Sequence, residues 1–406
     1  MKHPVPHRIS VDEAEALITA RTMHWPAHRV ALAQALGGIL REDIHAERDQ
    51  PPFDRVTMDG IAVAAAALAA GRRDFEPAGT QAAGAPALGI RHEGQCIAVM
   101  TGSVLPAGTD TVIPVERLAQ RDGRTWLEAG YDARPGQFVH RRGSDHRQGD
   151  RLLAAGSRIG APEMAILGVG GRSDVAVASP PSIALVSTGD ELVEPGLPIE
   201  DWQIRSSNGL ALGAALRRRG FSRISHALLR DDPQELQREI AALHASHDVL
   251  ILSGGVSMGQ FDHVPATLAA LGVEAVFHKV LQRPGLPLWF GTSADGRPVF
   301  ALPGNPVSSL VCLVRYVLPC LARGLGAAVQ PTRRYRLGAA VETVAELGTF
   351  VPVRLEADDR DGTCAMPRLT NTSGDFTALG GTDGFVELPQ GRQHFPAGFV
   401  ARFFAW

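Results

Sequence analysis

Cysteine is scarce in this chain: four residues in 406, Cys96, Cys312, Cys320 and Cys364. They are widely spaced, form no Cys-x-x-Cys pair and have no histidines at zinc-finger spacing, which excludes a disulfide framework and a structural zinc site. Buried, reduced thiols are expected. Nowhere do 18 uncharged apolar residues run together, and the opening Met1-Lys2-His3-Pro4 leads directly into a polar amphipathic segment, so neither a membrane span nor a secretory leader is expected. The expected compartment is the cytoplasm. An excess of either charge is missing too: 40 basic against 43 acidic side chains give a net charge of -3. That leaves no basic field for gripping nucleic acid. A Ser-His-Asp order, a His-Glu-x-x-His zinc motif, a Walker A loop and any repeat with a period of about 20 to 50 residues are all absent.

At 406 residues the chain exceeds what one hydrophobic core organises, so several domains are expected. Ser10-Val11-Asp12-Glu13 has the spacing of a capping box and opens a helix over about residues 11–20. A second apolar run, Val30 to Leu40, comes before the helix-breaking Pro51-Pro52. Residues 51 to about 140 are rich in Gly, Pro and short apolar stretches, the texture of a compact β module, and a helical pattern over 161–168 follows it, placed to pack back on the first helix. After Ser179-Pro180-Pro181 strands alternate with helices, as in a mostly parallel sheet covered on both faces. Asp232-Pro233 and Asn305-Pro306 read as N-cap and N1 pairs of two of these helices, the second running from Val307 to Leu318. Gly324 to Thr332 reads as a linker, and the tail alternates in short strands. The expected fold is multidomain α/β plus β: a discontinuous N-terminal domain (1–50 and 140–178), an inserted β-rich domain (51–139), a central α/β domain (179–327) and a small C-terminal β domain (332–406).

Chemistry is expected where strands of the α/β domain end in glycine-rich turns, because ligands of open parallel sheets bind beyond the carboxyl ends of the strands. Three such turns occur. Ser187-Thr188-Gly189-Asp190-Glu191 joins two hydroxyls to two acids able to ligate Mg²⁺, although Asp190 could equally cap the following helix. The second, Ser253-Gly254-Gly255-Val256-Ser257, lets backbone N–H groups approach an anion, with Asp262 beyond it as a further metal ligand or base. Leu302-Pro303-Gly304-Asn305-Pro306 precedes a helix whose N-terminus attracts negative charge. Together they point to a phosphorylated or nucleotide-like ligand with a divalent cation. In the N-terminal half, Phe53-Asp54 with Met58-Asp59-Gly60, and Thr101-Gly102 with Asp110, lie in Pro- and Gly-bounded loops. Arg141-Arg142, beside Gly143-Ser144-Asp145, offers guanidiniums suited to an oxyanion.

Read together, these motifs resemble the molybdopterin molybdenumtransferase family, the bacterial MoeA proteins and the gephyrin E domain, over nearly the whole length. The resemblance rests on Phe53-Asp54 with Met58-Asp59-Gly60, Thr101-Gly102 with Pro106, Arg142-Gly143 with Asp145, and Ser187 through Leu192. It continues with Asn208, Gly254 to Ser257 with Asp262, Arg283-Pro284-Gly285 with Pro287, and Leu302 through Ser308. It implies a central domain like the molybdopterin adenylyltransferases. It also implies a homodimer whose site is shared between subunits, with Asp59 and Thr101 acting across the interface. The implied reaction takes adenylylated molybdopterin and molybdate, uses Mg²⁺, cleaves the pyrophosphate and releases molybdenum cofactor and AMP. The adenylyltransferase and recipient molybdoenzymes are then possible partners. Carried over, Asp59, Thr101, Asp145, Glu191 and Asp262 are the catalytic set, with Asp190, Glu191 and Asp262 around the metal. Thr188, Gly189, Asp190, Asn208 and Asp231 would bind substrate. So would Ser253, Gly254, Gly255 and Ser257, Lys279 and Arg283, and Pro303, Gly304, Asn305, Pro306 and Ser308, with Pro303 and Pro306 shaping the molybdate pocket.

The chain departs from the family in places. Lys-Pro-Gly-Lys-Pro has become Arg283-Pro284-Gly285-Leu286-Pro287, losing one cation, and Arg55, Ser144 and Gln260 replace the usual Asn, Glu and Glu. An active transferase is the leading expectation. The alternative is a non-catalytic paralogue that binds or carries molybdopterin or the finished cofactor for a molybdoenzyme.

Overall fold

The computed structural model describes residues 7–256, 263–358 and 362–406. They fall into two compact units: the described residues up to 42, residues 155–161 and the described residues from 174 onward in one, and residues 43–154 and 162–173 in the other.

The larger unit is built on a seven-stranded sheet. Its strands lie in the order His7–Ile9, Glu274–Val280, Trp289–Thr292, Pro298–Leu302, Val249–Ser253, Ile183–Thr188 and Ile224–Leu229. All pairings are parallel except the two made by Trp289–Thr292, which runs against both neighbours. The expected mostly parallel sheet is present, with one reversed strand that its short apolar sequence does not announce.

Period-2 alternation divides the central strands between two cores. Ile183 and Leu185, Val249 and Ile251, and Phe300 and Leu302 enter one cluster, shared with helices Val11–Thr19, Asn208–Arg218 and Pro306–Cys312. Ala184 and Val186, Leu250 and Leu252, and Val299 and Ala301 enter the other, closed by helices Pro233–Ser246 and Val264–Ala270. Helices therefore cover both faces, as α/β alternation requires.

The capping box forms: Glu13 N–H donates to Ser10 Oγ at 3.2 Å and Ser10 N–H to Glu13 Oε2 at 2.7 Å. Asp232 likewise accepts from the N–H groups of Gln234 and Glu235, with Pro233 at N1. The second apolar run does not continue as a helix. Ala27–Ala31 is a strand paired antiparallel with Asp174–Ala178, followed by a 3₁₀ turn over Leu32–Gln34.

Helix Pro306–Cys312 passes through a π turn, Leu313–Val317, and continues over Leu318–Gly324. Arg315, only 2 % exposed, lies in that turn and pairs with Glu15 and Glu387, both at 2.7 Å. This combined helix, Pro306–Gly324, is long and apolar enough to span a membrane, but 83 % of its apolar window is buried in the protein. It is a core helix.

The tail folds as a small barrel. Gly348–Asp358 pairs with both Gly362–Pro367 and Gly384–Leu388, and Arg334–Leu337 and Val400–Ala405 complete the circuit. Closure removes the exposed edges that an open sheet of short strands would leave. The two-residue strand Gln282–Arg283 adds alongside Gly348 and Thr349.

The smaller unit contains a six-stranded sheet in the order Thr111–Pro114, Gly60–Val63, Gln95–Val99, Asp74–Gln81, Arg124–Leu127 and Leu118–Arg121. The expected helix over 161–168 forms as Ala161–Val169, and residues 162–173 group with this β-rich unit.

Candidate functional site

The strand order Pro298–Leu302, Val249–Ser253, Ile183–Thr188 places the three glycine-rich turns side by side. Ser253 is in register with Ser187 on one side and Leu302 on the other, so all three turns leave the sheet from the same end. Close approach of the first two demands glycine. A Cβ on Gly254, at φ +102°, would lie 2.5 Å from the carbonyl oxygen of Thr188. Gly189 takes φ +153°, a backbone conformation that residues with a Cβ rarely adopt.

Asn208, at the start of its helix, joins the second and third turns: its Nδ2 donates to Ser253 Oγ and to the carbonyl of Gly304, both at 2.7 Å. The turns border a cleft of about 1250 Å³. Thr188, Glu191, Asn208, Asp231 and Ser253 to Gly255 line it, as do Arg283, Pro303 to Pro306 and Ser308. The barrel contributes a wall from Val341 to Pro352 and the loop Leu369–Gly374.

The acidic corner carries unspent polarity. Thr188 Oγ1, Asn208 Oδ1 and Asp231 Oδ1 are buried without a well-formed hydrogen bond among the described residues. Burial, then the negative charges of Asp190 and Glu191, push the Asp231 carboxyl above its ordinary value. Asp190 Oδ1 also accepts the Asp231 N–H at 3.3 Å. Buried oxygens under mutual repulsion are the setting a cation relieves. Among the described residues no three His, Cys, Asp or Glu side chains form a ready-made metal cage; Mg²⁺ needs none where one or two carboxylates act with substrate phosphates.

Not every expected residue joins the cleft. Ser257 and Asp262 lie outside the described residues. Lys279 sits at φ +69° with its N–H on the Leu288 carbonyl and is not among the lining residues. Asn305 does occupy the N-cap position, but its side chain makes no cap; Nδ2 donates to Ser373 Oγ at 2.6 Å instead. The Ser373 carbonyl in turn accepts the Val307 N–H at 3.2 Å. Sequence reasoning missed Ser373, whose only signal is the small polar run Thr370-Asn371-Thr372-Ser373-Gly374 between strands.

In the smaller unit, Asp59 Oδ1 accepts both the N–H and the hydroxyl of Thr101, each at 2.6 Å, which holds its carboxyl below the usual range. Asp145 pairs with His140 Nε2 at 2.9 Å. The guanidiniums expected to offer an oxyanion site are engaged internally. Arg141 pairs with Asp54 at 2.6 Å and Arg142 with Asp49 at 2.8 Å, because those carboxylates fold onto the same loop.

Comparison with known proteins bears on the whole chain. Residues 9–171 match the family described as the MoeA N-terminal region (domain I and II), and residues 184–323 match a probable molybdopterin binding domain. A molybdopterin molybdenumtransferase of Synechocystis is 38 % identical over 98 % of this chain and 100 % of its own length. One from Staphylococcus aureus is 28 % identical over 98 % of this chain and 94 % of its own. Among solved structures, a molybdopterin biosynthesis MoeA protein from Pyrococcus horikoshii superposes with a TM-score of 0.82 at 31 % identity, covering 98 % of this chain and 99 % of that one.

Proposed function

The chain belongs to the molybdopterin molybdenumtransferase family, and from that membership we propose that it inserts molybdate into adenylylated molybdopterin, cleaving the pyrophosphate to release molybdenum cofactor and AMP. It is a transferase of molybdenum cofactor biosynthesis. The observation that carries the finer reading is the convergence of three glycine-rich turns on one cleft that Thr188, Glu191, Asn208 and Asp231 also line. The proposal includes a homodimer acting in the cytoplasm.

In this reading Mg²⁺ would be held by Glu191 and Asp231, with Asp190 beside them, and would supply a positive charge that polarises phosphoryl oxygens and offsets the pyrophosphate. The Gly255 backbone N–H would donate to a phosphate oxygen, the Gly254 N–H being given to the Leu302 carbonyl at 3.2 Å. Asn208 holds the second and third turns at a fixed spacing, so that donors are already placed when charge develops. Pro303 and Pro306 restrict the turn at which the oxyanion is received, and Ser308 offers it a hydroxyl.

The test is AMP release from adenylylated molybdopterin, with and without molybdate and Mg²⁺, for the unaltered protein and Glu191→Ala. Molybdate-dependent release that the substitution abolishes supports the transferase. Tight pterin binding without turnover would replace it by the carrier reading, with Leu286 standing where the family carries a cation as the reason.

A further inference from the structure

Among the described residues, Arg205 and Arg283 are the only cationic side chains that line the cleft. Three acids, Glu191, Asp231 and Glu342, line it too. A ligand bearing phosphates therefore depends on few protein cations, and how each is held matters.

Arg205 is held in an unusual way. One guanidinium nitrogen, Nη1, donates to the carbonyls of Glu194 at 2.9 Å and Leu197 at 2.7 Å. Arg205 forms no ion pair among the described residues, whereas Arg117, Arg124, Arg141 and Arg142 are each matched to a carboxylate. Carbonyls fix the position of a guanidinium without neutralising it. Of its five N–H donors, those on Nε and Nη2 remain unspent, and their planar fork matches two phosphate oxygens.

The backbone sets this group beside the acidic turn. Leu192–Val193 and Ile204–Arg205 form a two-stranded parallel ribbon, tied by Ile204 N–H to the Glu191 carbonyl at 2.8 Å and Ser206 N–H to the Val193 carbonyl at 2.9 Å. Three residues on, Asn208 reaches Ser253 and Gly304. Arg205 thus stands on the short segment that runs from the carboxylate turn to the residue joining the other two turns.

We propose that Arg205 is a substrate-binding residue whose pre-moored guanidinium clamps the phosphoanhydride of the substrate, selecting a pyrophosphate-bearing ligand over a monophosphate. The inference rests on the transferase reading and names the group that would orient its scissile bond. Two measurements separate the two claims: steady-state AMP release from adenylylated molybdopterin, and calorimetric titration of inorganic pyrophosphate and of inorganic phosphate into the full-length protein.

For Arg205→Gln the expected result is a rise of ~10–100-fold in KM and in the pyrophosphate Kd, the range for losing a charge-assisted pair. The kcat should change less than about twofold and phosphate binding little. Arg205→Lys retains a cation but cannot hold two carbonyls and a bidentate anion together, so it should recover only part of the affinity. A purely structural role would lower the melting temperature and leave KM and the pyrophosphate Kd unmoved; that result in both variants overturns the proposal. Unaltered protein that binds pyrophosphate through Arg205 yet releases no AMP upholds the clamp and overturns the transferase reading. Absence of pyrophosphate binding to the unaltered protein overturns the clamp.

Discussion

Asn208 Nδ2 lies 2.7 Å from Ser253 Oγ, and the same nitrogen lies 2.7 Å from the Gly304 carbonyl. One amide thereby ties turns that follow two adjacent strands, alongside the Gly254 N–H, which donates to the Leu302 carbonyl at 3.2 Å. Asn208→Ala should lower kcat/KM for AMP release by about 10²-fold, the order seen when a preorganising donor is lost. Asn208→Asp should do worse, since it sets a carboxylate against a carbonyl. Equal kinetics in Asn208→Ala and the unaltered protein would remove the spacer role.

Asp231 should make stability depend on pH in a direction opposite to a salt-bridged acid. Its folded pKa is raised above 3.8 by burial and by Asp190 and Glu191, so the folded state holds the proton more tightly than the unfolded chain. The resulting stabilisation is complete below the unfolded value and is lost as pH rises through the folded one. Asp231→Asn should therefore melt higher than the unaltered protein at pH 7, and the gap should close toward pH 4. Added Mg²⁺ should raise the melting temperature of the unaltered protein more than that of the variant. A gap independent of pH would show that charge is not its cause.

How much of this was legible beforehand can be judged residue by residue. The capping box at Ser10 and Glu13 and the Asp232 cap are local, so sequence spacing sufficed. The meeting of the three turns was legible too, because strand-end position follows from the apolar runs and ligand sites gather there. Asn305 was read only in part: it takes the cap position, but its side chain answers to Ser373, 68 residues away. No local pattern encodes such a partner. Ala27–Ala31 became a strand because Asp174–Ala178 supplies a full antiparallel register, and tertiary pairing overrides propensity. The carboxylates that occupy Arg141 and Arg142 were visible as residues but not as neighbours.

Glu387 should be worth more to the fold than surface acids. It is 11 % exposed and pairs with Arg315 at 2.7 Å and Arg402 at 3.3 Å. Glu387→Ala leaves the buried guanidinium with Glu15 as its remaining partner and should cost about 3–5 kcal/mol in urea unfolding. The double variant Arg315→Met, Glu387→Ala should recover part of that loss, since an apolar side chain can fill the π turn. If the double variant is no more stable than Glu387→Ala, the uncompensated charge is not what destabilises the single one.

Leu286 lines the cleft, at the position where the resemblance drawn from the sequence implies a lysine. Leu286→Lys adds a cation to a wall that has Arg205 and Arg283, and should lower the KM for molybdate by roughly threefold to tenfold, equivalent to about 1 kcal/mol. Melting temperature should fall slightly, because Leu286 is half-buried. An unchanged molybdate KM would place the oxyanion beyond the reach of this position.

The outermost strand of the large sheet, His7–Ile9, finds its parallel neighbour at His278 and Val280. On a ribosome adding ~5–20 residues per second, that neighbour emerges on the order of 15–50 seconds after the strand that needs it. Throughout that interval His7–Ile9 lacks its sheet neighbour, while the interrupting β-rich unit, residues 43–154 and 162–173, is completed well before it. Synthesis order and assembly order thus diverge in this chain: His7–Ile9 is made before the β-rich unit and meets its sheet neighbour after it.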